Sequence, residues 1–134
     1  MKTVVISGGT SGIGKRLVEL FLNEKMKVFT FSSKKKNVIS FTKEFEEFKD
    51  NLYCYQCNIG DPKDVKKISS IIFKKFKKID FLINNSGTNV LGPIGKIKVN
   101  DWKKIIDVNL TGPFLLTQNL FKLFKKNSVI LNMG

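Results

Sequence analysis

A short apolar strand that runs straight into a cluster of glycines constrains this chain more than any other feature. Thr3-Val4-Val5-Ile6 reads as a buried strand, and Ser7-Gly8-Gly9-Thr10-Ser11-Gly12-Ile13-Gly14 follows it before helical spacing begins. A strand, a tight turn and a helix start suggest phosphate binding, because backbone N–H groups at a helix N-terminus are unpaired and carry partial positive charge. Glycines permit the turn and keep side chains out of the anion's path. The plainer alternative is that the glycines mark only a turn.

Spacing separates the phosphate-binding motifs. Gly9, Gly14 and Lys15 match most of G-x-x-x-x-G-K-[ST], the phosphate loop of nucleotide triphosphatases, but Arg16 stands where a hydroxyl must reach Mg²⁺. The dinucleotide fingerprint G-x-G-x-x-G also fails, since Gly8, Gly12 and Gly14 give G-x-x-x-G-x-G. This third spacing resembles the classical branch of the short-chain dehydrogenase/reductase family. The extended, epimerase-like branch would need glycine at Lys15.

Length and composition fit one domain. A chain of 134 residues can bury a single core without disulfides or metals. Hydrophobic residues at 42% and charged residues at 26% lie in the globular range, and no apolar run approaches the ~18 residues that span a bilayer. No membrane span or secretory segment is expected, so a cytoplasmic location is the default. The formal net charge is +13, with lysines such as Lys66, Lys67, Lys74, Lys75, Lys77 and Lys78 spread over solvated helix faces. No nucleic-acid motif accompanies that charge, and nucleic acid is not expected as a partner. A basic surface still suits a phosphorylated cofactor or an acidic carrier.

Cys54 and Cys57 form C-x-x-C, the spacing of redox pairs and half zinc sites. Their setting in an apparent strand puts them roughly 10 Å apart on opposite faces. A disulfide needs Cα atoms within about 7 Å. No histidine and no second cysteine pair is present, so no metal is expected.

The remaining pattern alternates helices with strands. A helix is expected over Gly12 to Asn23, a strand over Lys27 to Phe31, a helix from about Ser40 to Lys49 carrying Phe41, Phe45 and Phe48, and a strand from Leu52. Asp61 and Pro62 suit the start of the next helix, whose buried stripe is Val65, Ile68, Ile72 and Phe76. Ile79 to Ile83 reads as a fourth strand. A long helix is expected from near Asn100 to about residue 126, irregular at Gly112 and Pro113, and Ser128 to Gly134 resembles a fifth strand.

At the end of the second strand, dinucleotide folds that take NAD place an acid on the ribose 2′-hydroxyl. Here Ser32 and Ser33 precede Lys34, Lys35 and Lys36, which offer hydroxyls and positive charge to a 2′-phosphate, so NADP(H) is favoured over NAD(H). The plainer alternative is a solvated charge run.

Two later motifs sharpen the resemblance. Asn84-Asn85-Ser86-Gly87 is similar to the family's Asn-Asn-Ala-Gly after its fourth strand, and Asp107-Val108-Asn109 matches the motif whose Asn belongs to the catalytic tetrad. The resemblance implies a Rossmann-like doubly wound parallel α/β sheet of five strands in the order 3-2-1-4-5. It implies a pyrophosphate corner at Gly8, Thr10, Ser11, Gly12, Ile13 and Gly14, and an adenine contact at Asn58. It implies a cofactor border at Asn85, Ser86 and Gly87, a sheet-stabilising Asn84, a catalytic Asn109 and a homo-oligomer through the 100–126 helix.

The family's Ser and Tyr-x-x-x-Lys cannot be assigned, since neither Tyr53 nor Tyr55 is followed four residues later by lysine. The expectation is therefore one dinucleotide-binding domain over 1–134, truncated after its fifth strand. It binds NADP(H) weakly and reduces no carbonyl by itself. The full-length parent would be an NADP(H)-dependent oxidoreductase acting on a small carbonyl or a carrier-bound acyl group, resembling 3-oxoacyl-carrier-protein reductases. The alternative is a catalytically silent dinucleotide-binding or interaction module.

Overall fold

The computed structural model describes all 134 residues. Five parallel strands form one sheet: β1 (Thr3–Ser7), β2 (Lys27–Ser32), β3 (Leu52–Gln56), β4 (Ile79–Asn84) and β5 (Phe124–Asn132), in the order β3-β2-β1-β4-β5. That order is the one the family resemblance implied. The chain winds outward from β1 to β3, then returns to place β4 on the other flank of β1, with Val5 opposite both Phe29 and Leu82. A crevice opens at such a reversal, beyond the carboxyl ends of the strands on either side of it.

Strand alternation sends successive side chains to opposite faces, and each face is covered by helices. Val4, Ile6, Val28 and Ile83 pack with Val18 and Leu22 of α1 (Gly12–Asn23) and Phe41 of α2 (Lys35–Glu44). Val5, Phe29, Phe31 and Leu82 pack with Val65, Ile68 and Ile72 of α3 (Pro62–Lys75) and, beyond the connecting helix α4 (Val99–Ile106), with Leu116 and Leu120 of α5 (Gly112–Leu120). Each of β1's five residues is buried, which is why Val4, Val5 and Ile6 run apolar without alternation. The cysteines fall on opposite faces: Cys57 belongs to the α3–α5 core and Cys54 packs against the α1–α2 core.

Three boundaries differ from the sequence expectation. Helix α2 starts at Lys35 rather than near Ser40, and gives way after Glu44 to a 3₁₀ turn at Glu46–Phe48. Its first turn, Lys35 to Asn37, carries no apolar residue, so the periodicity is silent there. The expected 100–126 helix is α4, a π turn at Asp107–Thr111, α5 and a 3₁₀ turn at Phe121–Leu123. Strand β5 starts at Phe124, earlier than expected, with a register shift opposite Ile79 and Phe81. Ser128 closes that irregularity, since its hydroxyl donates to Ile79 O at 2.6 Å and accepts from Lys125 N–H at 2.8 Å.

Candidate functional site: a cleft at the carboxyl edge of the sheet

The glycine turn is built by two buried hydroxyls. Thr30 Oγ1 donates to Ile6 O at 2.8 Å and accepts the Gly9 N–H at 3.0 Å, which pins the turn to β2. Ser7 Oγ accepts the N–H groups of Asn85 and Ser86, both at 2.9 Å, and Asn85 Nδ2 donates back to Ser7 O and Gly8 O at 3.2 Å. The two loops that the sequence marked separately are thus one rigid corner. Gly8 sits at φ +70°, a left-handed conformation that glycine adopts without strain. Gly14 is required for space rather than for conformation, since a Cβ there would collide with Gly8 O and stand 2.5 Å from Asn85 Nδ2.

This corner is rich in unanswered donors. The backbone N–H groups of Thr10, Ser11, Gly12, Ile13 and Gly14 have no acceptor in the protein, and Ser11, the N-cap of α1, makes no side-chain capping bond. No acidic residue stands in the first turn of α1. A helix start so exposed is suited to an anion.

The corner opens into a cleft of about 610 Å³. Gly8, Thr10, Ser11 and Ile13 line it beside Ser32, Ser33 and Lys34, and Asn85, Ser86 and Gly87 form part of its wall. Phe31, Asn37, Cys57, Ile59, Thr88, Lys104 and Val108 complete it, so no carboxylate faces the cleft. Gln56 Nε2 holds Ser33 O at 3.1 Å, and Lys34 caps α2, so a second helix start faces the same space. The Cys57 thiol is pushed up to about 12 by burial, aided by the negative charges of Asp64 and Asp61, and serves as a neutral apolar surface.

The short chain dehydrogenase family profile matches residues 2–134. The chain belongs to the short-chain dehydrogenase family. It is 32% identical over 135 residues to the 3-oxoacyl-[acyl-carrier-protein] reductase of Thermotoga maritima, covering 99% of this chain and 55% of that protein. Among solved structures, a blue fluorescent protein from a metagenomic library in complex with NADPH shares the fold at a TM-score of 0.90 and 22% identity, over 99% of this chain and 55% of that one. ElxO with NADP bound matches at 0.80 and 30% identity, over 90% and 49%. The chain therefore spans about half the length of each of these proteins.

Ten of the residues singled out from the sequence line the cleft; Gly12, Gly14, Asn58 and Asn109 do not. Gly12 and Gly14 act through the backbone and packing of the turn. The Asn58 side chain is engaged in a local turn, with Oδ1 accepting Gly60 N–H at 3.0 Å, and the flanking Cys57 and Ile59 line the cleft in its place. Asn109 lies in the π turn and clamps the backbone of Thr88 from both sides, accepting its N–H and donating to its carbonyl, each at 2.8 Å. It faces a second depression of about 590 Å³ that shares Ser86 with the cleft. Asn84 bridges β4 to β5 and α5 by donating to Asn132 Oδ1 at 2.8 Å and Thr117 Oγ1 at 3.3 Å, while its own Oδ1 is buried without a partner. No cluster of histidine, cysteine, aspartate and glutamate side chains gathers to hold a metal ion.

Sequence reasoning missed Ser7, Thr30, Ile59, Val108 and Lys104 as builders of the site. Thr30 had a readable signal, a lone hydroxyl in the buried run Val28-Phe29-Thr30-Phe31. Lys104 had none, since only the packing of α4 brings it to the cleft.

Proposed function

We propose that this chain binds NADP(H) in the cleft and supplies the dinucleotide-binding half of a reductase that moves a hydride between nicotinamide and a carbonyl or alcohol carbon. The observation that carries this reading is the run of unpartnered N–H groups from Thr10 to Gly14 above a cleft free of carboxylates. The residues fit the group: the donors of Thr10 to Gly14 suit the pyrophosphate, Ile59 and Val108 suit the adenine faces, and Ser32, Ser33 and Lys34 suit a 2′-phosphate. Asn85, Ser86 and Gly87 then border the nicotinamide side. When bound, the cofactor supplies the hydride. Asn109 fixes the Thr88 backbone with both ends of its amide, and with it the far wall of the cleft, and it lines the second depression, where a proton relay would begin.

Calorimetric titration with NADPH and NADH tests the reading. Tighter binding of NADPH is expected, and equal or absent binding overturns the 2′-phosphate assignment. The name of the Thermotoga relative and the +13 charge both favour an acyl group on an acidic carrier as substrate of the longer protein. Self-association is assigned to the α4–α5 face, where Trp102, Leu110, Phe114 and Phe121 are exposed. A cytoplasmic location accords with this reading, and no helix is long and apolar enough to cross a membrane.

Within these residues, hydride transfer lacks a proton donor for the carbonyl oxygen. Tyr53 is followed four positions on by Cys57 and Tyr55 by Ile59, and both lie in β3. We therefore expect these 134 residues by themselves to bind the dinucleotide without reducing a carbonyl. Oxidation of NADPH by this chain with any ketone, above a buffer blank, overturns that part alone.

A further inference from the structure

Helix α4 sends one lysine into the cleft and keeps its neighbour out. Lys104 lines the cleft together with Val108, and Lys103 does not. The spacing explains this, since residues four apart lie on one helical face and adjacent residues do not. The face is fixed in place by close packing: a Cβ on Gly60 would meet Val108 Cγ2 at 2.9 Å, so the β3–α3 loop sits hard against the start of the π turn.

Ordinary roles for Lys104 are not filled. Lysine in the last turn of a helix commonly answers the carbonyls of a free C-terminus. Helix α4 has no free C-terminus, because the backbone continues through the π turn into α5 and the Asp107 N–H bonds back to Lys103 O and Lys104 O. Lysine three residues from an acid often pairs with it. Asp101 and Asp107 stand at those positions, yet the chain's ion pairs, Lys15–Glu44, Arg16–Glu19 and Lys78–Asp80, leave Lys104 out. Its ammonium also makes no hydrogen bond to a protein group, and the cleft offers it no carboxylate.

We infer that Lys104 is a second specificity-determining cation for the phosphoadenosine end of the cofactor, closing on the 2′-phosphate from α4 while Ser33 and Lys34 hold it from the β2–α2 corner. The inference rests on the NADP(H) reading above. It adds that discrimination is shared between two walls of the cleft, so a lysine that no dinucleotide motif marks contributes to it. An ammonium on a flexible stem acts on a phosphate as a mobile point charge, and its effect falls with salt.

The test compares Lys104→Gln with Lys103→Gln, which removes the same charge one position away. Each is titrated with NADPH, NADH, 2′,5′-ADP and 5′-AMP in low salt, and NADPH is repeated in high salt, about 0.5 M, where the Debye length is only a few ångströms. For Lys104→Gln we expect NADPH and 2′,5′-ADP to weaken about fivefold, the size of one partly exposed charge-assisted contact. NADH and 5′-AMP should change by less than about twofold, Lys103→Gln should change none of the four to that extent, and the difference should shrink in high salt. Equal weakening of NADPH and NADH overturns the inference, as does an unchanged affinity for 2′,5′-ADP or the same loss in both variants. Failure of the parent reading looks different: the wild-type chain would then bind neither dinucleotide, or both equally, and the assignment of Lys104 falls with it.

Discussion

Gly14 makes a demand for space that one methyl group can test. A Cβ there would collide with a backbone oxygen of the glycine turn and stand 2.5 Å from Asn85 Nδ2, so neither that turn nor the Asn85 loop has room to yield. Gly14→Ala is expected to cost about 2 to 3 kcal/mol in urea unfolding and to abolish measurable NADPH binding, because the turn must move to admit the methyl. Gly95→Ala, where no atom lies within 4 Å, serves as the silent control. Two thiols, Cys57 buried and Cys54 half-buried, give a second residue-level prediction. Burial pushes both Cys54 and Cys57 up to about 12 from 9.0. Below pH 9 the native and unfolded chains both hold these protons; from pH 9 to about 12 the unfolded chain releases them first, so stability falls across that window. Alkylation about one unit below the ordinary thiol pKa should be negligible in the native chain and rapid in urea, which mass spectrometry would show.

Helix boundaries and the joints between elements decide where the site's walls stand. Asp61 caps α3 by accepting Lys63 N–H at 2.9 Å, with Pro62 in the first turn. Asp61→Ala should cost about 1 kcal/mol by denaturant titration, with little effect on the cleft. The π turn matters more for binding, because it turns Asn109 toward Thr88 and Val108 toward the cleft. Asn109→Ala removes two hydrogen bonds to one loop residue. Faster amide exchange at Thr88 and weaker NADPH binding are expected, with the midpoint of unfolding shifted only slightly, since Asn109 lies at an exposed position. Unchanged exchange at Thr88 would refute the clamp. Helix α2 shows why periodicity misplaces such boundaries. Phe41 and Phe45 mark the turns that are buried, and a solvated first turn at Lys35 leaves no apolar trace.

At the scale of the whole molecule, one open edge of the sheet carries exposed apolar side chains. Strand β5 is one edge of the sheet, and Val129, Ile130 and Leu131 are 49%, 42% and 46% exposed, with Ile130 sharing a depression with Phe114 of α5. An edge of this kind pairs with other chains. The chain should therefore associate with rising concentration in sedimentation velocity, and Ile130→Lys should reduce that association while leaving NADPH binding intact. The alternation of apolar strands with periodic helices was readable in the sequence itself, the doubly wound order came from the family resemblance, and Gly8 to Gly14, Asn85 to Gly87 and Asn109 were singled out because each stands in a short motif. Such features are encoded within a few residues, so the linear order reveals them. Tertiary structure alone decided that Thr30 and Ser7 weld the two loops, that Ile59 rather than the Asn58 side chain faces the cleft, and that Lys104 enters it while Lys103 stays out. Those outcomes depend on how separate elements pack across the sheet, and side-chain direction at a packed interface is set by partners far away along the chain.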